Sequence, residues 1–248
     1  FAAVIPAFLI ILLFNILRMG FAMTDFGSAQ TFVFTILQQP LQSLGGTLPA
    51  TILVLLVEAV IWCFGLHGSS IVSSVMNPIW FAQSAENLAA FEAGLAMPHI
   101  VNYQFISFFV KLGGVGATLS LTLLCLFKAK SDQYRALGKL GIGASLFNIN
   151  EPIIFGFPIV LNPMMMIVSV GIVTYLAIYL GLVPMINGIN LPYTIPAVIS
   201  GFMISGWQGA LLQVVLLLLT GLIYYPFFKA QDKQAFIEEQ AKKEALLD

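Results

Sequence analysis

One run gathers polar side chains inside a chain otherwise rich in apolar ones: Asn148-Ile149-Asn150-Glu151-Pro152-Ile153-Ile154-Phe155-Gly156. Glu151 offers a carboxylate that can accept a hydroxyl's hydrogen bond or its proton, and Asn148 and Asn150 offer donors and acceptors together. That mixture suits a neutral ligand rich in hydroxyls. A metal centre calls for several acids or histidines in a cluster, and one acid stands here, so neither metal nor cofactor is expected. His67 is a second candidate, in Trp62-Cys63-Phe64-Gly65-Leu66-His67-Gly68. Gly65 and Gly68 permit close backbone approach there, and Trp62 has a ring able to stack on a sugar or to anchor at an interface. His99 reads as structural. Glu58 and Lys111 are further charges within apolar stretches, and pairing of Lys111 with Glu58 or with Glu151 is expected.

The elements that must position these groups follow from composition. Of 248 residues, 59% are hydrophobic and 8% charged, and mean hydropathy is +0.97. A soluble domain of this size needs a wetter exterior. Nine of the 21 Asp, Glu, Lys and Arg residues lie in 229–248, so the body is poorer still in charge. A carboxylate in lipid costs about 2.5–3.5 kcal/mol, so Glu151 needs a partner, a proton or a wet cavity. Net charge is −1 with no basic patch, which argues against nucleic acid. Gly138, Gly141 and Gly143 lack the Lys-Ser/Thr of a phosphate loop, and neither H-E-x-x-H nor a nucleophile-elbow serine occurs. Cys63 and Cys125 sit in apolar runs and read as packing residues. The chain opens on Phe1 without the basic lead-in of a signal peptide, and it reads as a fragment entered within a membrane span.

Stretches of about 20 apolar residues span hydrocarbon as helices. Residues 1–23, 48–66, 104–127, 160–182 and 206–228 qualify, with irregular pieces at 26–44, 68–103, 136–158 and 187–205. Pro152 has no N–H and disfavours helix at Glu151. A half-helix 138–147, an extended apex 148–152 and a return 153–158 are therefore expected. Pro192 and Pro196 suggest a second hairpin over 189–204, and paired interruptions point to a binding site between them. Gly113-Gly114-x-Gly116 is expected to serve close helix packing. Lys128, Lys130, Arg135 and Lys139 cluster in one connection and Lys229, Lys233, Lys242 and Lys243 follow the last span, whereas 68–103 and 183–205 contain no Lys or Arg. The positive-inside rule makes the first two cytoplasmic and the last two outward. The expected fold is an all-α integral membrane protein with about five transmembrane helices, two re-entrant helical hairpins and a cytoplasmic amphipathic helix over 26–44. Residues 1–228 form the membrane domain, and 229–248 form a solvated charged tail to which no function is given.

The stretch from Asn148 through Gly156 and on to Phe157-Pro158-Ile159-Val160-Leu161-Asn162-Pro163 resembles the signature of the sugar-transporting enzyme IIC permeases of the bacterial phosphotransferase system, in their lactose/cellobiose/diacetylchitobiose branch. Trp62 to Gly68 resembles the family's Trp-x-x-Gly-x-His-Gly stretch, and Leu191-Pro192-Tyr193-Thr194-Ile195-Pro196 resembles a third segment. The resemblance implies a multi-pass protein of the bacterial cytoplasmic membrane, embedded in lipid, with a cytoplasmic C-terminus. It implies a homodimer formed through N-terminal spans that this chain lacks. It also implies a β-linked disaccharide such as cellobiose or diacetylchitobiose as substrate, and a IIB partner whose cysteine donates the phosphoryl group. Glu151 then binds the hydroxyl that will accept phosphate, and His67 contacts the sugar nearby. Tyr193 stands where the family usually has a tryptophan. The candidate substrate-binding set is Glu151, His67, Asn150, Asn148, Trp62 and Tyr193, with no residue assigned as catalytic, because the phosphoryl donor is a separate protein. A competing reading is a proton-coupled secondary transporter using Glu151 and His67.

Overall fold

A computed structural model describes residues 4–33, 35–36, 46–64, 66–157 and 163–245, and these residues are helical or irregular with no strand. The chain forms two compact units, 1–44 and 45–248. In the first, α1 (Val4–Ala22) is an apolar helix long enough to cross a bilayer, and none of its residues is buried. A short α2 (Ala29–Val33) follows, its first turn capped where the Thr31 amide donates to Ser28 Oγ. Of the amphipathic helix expected over 26–44, residues 26–33 and 35–36 are described and only Ala29–Val33 is α-helical among them; the rest lies outside the described residues.

The second unit begins with α3 (Leu48–Cys63). Thr47 caps it, accepting from the Ala50 amide, and a proline occupies its first turn where no N–H is needed. Residues 68–103 were expected to be irregular, yet Gly68–Glu92 is a 25-residue helix, α4. Its Ser, Asn and Gln residues keep it below the hydropathy of a span. Its buried face repeats at helical spacing through Val72, Met76, Ile79, Trp80, Gln83 and Asn87.

The expected span 104–127 is split. A π-helical segment, Phe105–Val110, leads into an unwound stretch at 111–118, and α5 (Leu119–Lys128) resumes beyond it. Gly113, Gly114 and Gly116 have φ of 75°, 100° and 82°, so the glycines expected to serve helix packing instead break the helix. The helix α6 (Asp132–Leu146) then climbs to an apex at 147–150, and α7 (Glu151–Gly156) returns. Two helices joined by a tight turn stand where the first hairpin is expected, but the first limb starts at Asp132 rather than 138, and Glu151 opens the return helix rather than extending the apex. Pro152 in the first turn sacrifices no hydrogen bond.

Pro163–Tyr179 forms α8, inside the expected span 160–182. Where a second helical hairpin is expected at 189–204, residues 184–194 form no helix. Only the limb from Ile199 onward is helical. That limb opens α9 (Ile199–Glu244), a 46-residue helix kinked at Ser205 and Gly206. The charged residues 229–244 continue α9 without a break.

Leu121, Cys125, Tyr134, Ile153, Phe157, Tyr224 and Phe228 from α5, α6, α7 and α9 share one apolar core. A Cβ at Gly138 would overlap the backbone of Cys125 and Leu126. That glycine therefore lets α6 approach α5, in keeping with the weak phosphate-loop signal. Asp232 is buried, unlike the solvated tail residue the sequence suggests.

Candidate functional site

The break at 111–118, the apex at 147–150 and the loop after α8 converge because one amide ties them together. Asn148 adopts φ 62°, a conformation asparagine tolerates better than most residues. Its Nδ2 donates to the carbonyls of Tyr193 at 2.6 Å and Ile195 at 3.0 Å, and its Oδ1 accepts from the Gly113 amide at 2.9 Å. Asn150, which is buried, donates through Nδ2 to the Val115 carbonyl and to Thr118 Oγ1, both at 2.7 Å. Gly114 has no Cβ, and one added there would strike the Asn150 side chain. The glycine-rich break is thus the seat of the apex.

These elements enclose a cavity of about 200 Å³, and all six candidate residues line it: Trp62, His67, Asn148, Asn150, Glu151 and Tyr193. Glu151 is exposed to it, and among the described residues no hydrogen-bond or ion-pair partner meets its carboxylate. His67 caps α4 through Nδ1, which accepts from the Ser70 amide at 3.2 Å and meets Ser70 Oγ at 2.8 Å. A neutral His67 therefore carries its proton on Nε2, as a donor. The rings of Trp62 and His67 lie 4.6 Å apart, and Phe155 stands edge-on to Trp62 at 6.4 Å. The two pairings left open for Lys111 are decided: its Nζ lies 2.8 Å from Glu58 Oε1, not on Glu151. His99 lies outside this lining, with Nε2 on Glu86 and its amide on Asn87.

Sequence reasoning missed part of the wall. Ser69, Ser73 and Asn77 from α4, together with Tyr103 and Ser107, also line the cavity. Three polar residues spaced four apart, on a helix facing apolar neighbours, were the available signal. The low hydropathy of 68–103 concealed the helix that carries it.

Among the described residues no cluster of three or more His, Cys, Asp or Glu could hold a metal ion. The polar side chains of the lining, Ser, Asn, Tyr and Glu151, offer hydrogen bonds of both senses, with aromatic rings beside them. An apolar all-helical chain whose interrupted segments meet at a polar cavity has the arrangement of a membrane transport protein. Residues 1–172 match the family model for the phosphotransferase system EIIC component, and the chain belongs to that family. It is 43% identical to a putative permease IIC component, YwbA, of Bacillus subtilis, over 97% of this chain and 56% of that protein. It is 41% identical to the lichenan permease IIC component of the same organism, over 96% and 55%. It is 40% identical to a cellobiose-specific EIIC component of Geobacillus stearothermophilus, over 97% and 56%. Among solved structures it is similar to ChbC, the IIC component of an N,N'-diacetylchitobiose-specific phosphotransferase system. That match has a TM-score of 0.78 and 40% identity, covering 97% of this chain and 57% of the other. The chain spans little more than half the length of the curated relatives it matches.

Proposed function

We propose that this chain is the sugar-holding part of a phosphotransferase permease, and that it binds a β-linked disaccharide such as cellobiose or diacetylchitobiose. The observation that carries this reading is Glu151, a carboxylate with no partner among the described residues, in a cavity walled by amides, hydroxyls and aromatic rings. Glu151 accepts the hydrogen bond of the hydroxyl that will take the phosphoryl group, and His67 donates from Nε2 to a neighbouring oxygen. The nitrogen of Asn150 is engaged with the 111–118 break, so its carbonyl is the side a sugar hydroxyl meets. Asn148 acts mainly by holding the apex in place. Trp62 and Tyr193 present ring faces to the sugar.

In the complete protein the chain lies in the bacterial cytoplasmic membrane, multi-pass, as a homodimer through spans absent here. Its α6–α7 hairpin enters from the cytoplasm, where the C-terminus also lies. The basic residues around the α5–α6 turn, Lys128, Lys130, Arg135 and Lys139, support that orientation. A IIB protein then delivers phosphoryl from its cysteine to the bound sugar, and the charged product cannot return.

The test uses the full-length protein in proteoliposomes with phosphorylated IIB inside and radiolabelled cellobiose or diacetylchitobiose outside. Sugar is expected to accumulate as its phosphate, and Glu151→Gln to abolish that accumulation while the protein is still made. Accumulation of unmodified sugar driven by a proton gradient, without IIB, would overturn the reading in favour of a secondary transporter. Normal uptake by Glu151→Gln would remove that residue from the site.

A further inference from the structure

We infer that Lys111, Glu58 and Ser69 form a positioning chain that holds the Trp62 ring for the sugar, an inference that rests on the proposed function. Glu58 and Trp62 lie one turn apart on the same face of α3, and Ser69 of α4 bridges them. Ser69 Oγ donates to Glu58 Oε1 at 2.6 Å, and Trp62 Nε1 donates to Ser69 Oγ at 3.3 Å. Lys111 Nζ closes the chain on the same carboxylate oxygen at 2.8 Å. A Cβ at Gly68 would overlap the Glu58 carbonyl and the Trp62 ring, so this glycine lets α4 start close enough for the bridge to form.

The polarity of the chain is forced. An indole nitrogen only donates, and a serine hydroxyl has one proton. Ser69 can accept from Trp62 and point its own proton at Glu58 throughout only if Glu58 stays an acceptor. Lys111 Nζ, which has no lone pair to offer, donates to the same oxygen and leaves it in the accepting role. A pair serving stability alone would be a poor choice here. Glu58 is fully buried and its second oxygen has no partner among the described residues, and apolar residues commonly replace such pairs without loss. What the pair supplies is direction: Lys111, Ser69 and Trp62 all line the cavity, and Glu58 stands behind them. The single N–H of Trp62 sets the roll of a ring that also packs against a tilted His67 and an edge-on Phe155. Ser69 is thus a positioning residue: its hydroxyl is engaged with Glu58 and Trp62, and its effect on sugar is expected to pass through Trp62.

The experiment is a double-mutant cycle on the full-length protein in detergent, titrated with cellobiose and diacetylchitobiose by calorimetry. Ser69→Ala is expected to weaken binding about fivefold, the scale of one hydrogen bond, and Ser69→Thr to restore it to within about twofold. Trp62→Phe should weaken binding about tenfold or more. Adding Ser69→Ala to Trp62→Phe should then change nothing further, because residues acting as one unit are not additive. Replacing the ion pair as a whole, with Glu58→Leu and Lys111→Met together, removes the acceptor and avoids stranding one buried charge. The pair variant should fold and reproduce the Ser69→Ala loss. Losses at Ser69 and Trp62 that multiply, or Ser69→Ala binding equal to wild type, would overturn the inference alone. Wild-type protein that binds neither sugar would overturn the proposed function and this inference with it.

Discussion

The two ends of α6 are held in opposite ways. At its N-terminus, each amide from residue 130 to 134 donates to a side-chain oxygen. Lys130 and Ser131 donate to Asp232, Asp132 and Gln133 to Glu239, and Tyr134 to the cap Ser131. Ser131 Oγ adds a further bond to Asp232 at 2.7 Å. Both carboxylates are side chains of α9, so anionic groups along one helix hold the positive end of another. At the C-terminus the chain turns through Asn148 at φ 62° and presents Glu151 to a cavity. Where α6 is anchored, the protein satisfies its own polar groups. Where it meets the cavity, a carboxylate is left for something else to satisfy, and that contrast marks the site.

Asp232→Ala should break the contrast from the anchored side and has the largest expected effect. It strands buried donors and should cost about 3 kcal/mol, read as a lower unfolding temperature of the full-length protein in detergent. Sugar affinity of the folded fraction should hold, and an unaltered melting curve would show that the clamp contributes nothing. Glu151→Gln should do the reverse. Stability is expected to stay within about 0.5 kcal/mol, while disaccharide affinity falls roughly tenfold to a hundredfold, as for a lost hydrogen bond to a charged acceptor. A destabilised Glu151→Gln protein would mean the carboxylate has a structural partner. Asn148→Ala joins the two behaviours, because Asn148 both braces the apex and lines the cavity. A loss of about 2 kcal/mol in stability should accompany weaker binding, and binding loss without destabilisation would refute its bracing role. Glu239→Ala should be the mildest, about 0.5–1 kcal/mol with binding intact, since Glu239 is only partly buried and meets two amides at the helix mouth. An effect as large as that of Asp232→Ala would show the two carboxylates to be equivalent.

Much of the site was legible because its residues are costly where they stand. An acid beside two amides and a proline in an apolar run announces an interrupted helix and a ligand, and Glu151, Asn148 and Asn150 do line one cavity. The wall contributed by α4 was not legible. Hydropathy windows respond to average composition, and a helix that turns Ser69, Ser73 and Asn77 to a cavity averages out to a loop. The split in 104–127 was hidden for a related reason. Gly113, Gly114 and Gly116 are compatible with close helix packing, and only the Asn150 side chain lying over Gly114 requires the break. The opening of α9 differs from the expected hairpin because Val198, Ser205 and Gly206 take conformations that no periodicity encodes.

By itself, then, the sequence determined the class of this chain. Its apolar content, the spacing of its spans and the cost of Glu151 in lipid follow from residue types and short-range order. The tertiary structure decided which polar groups are already answered. It spent Asn148 on three backbone partners, gave Lys111 to Glu58, bound Asp232 to the start of α6, and left Glu151 without a partner among the described residues. Hydrogen bonds across 35 to 102 residues of chain depend on how helices pack, and no local pattern carries that information.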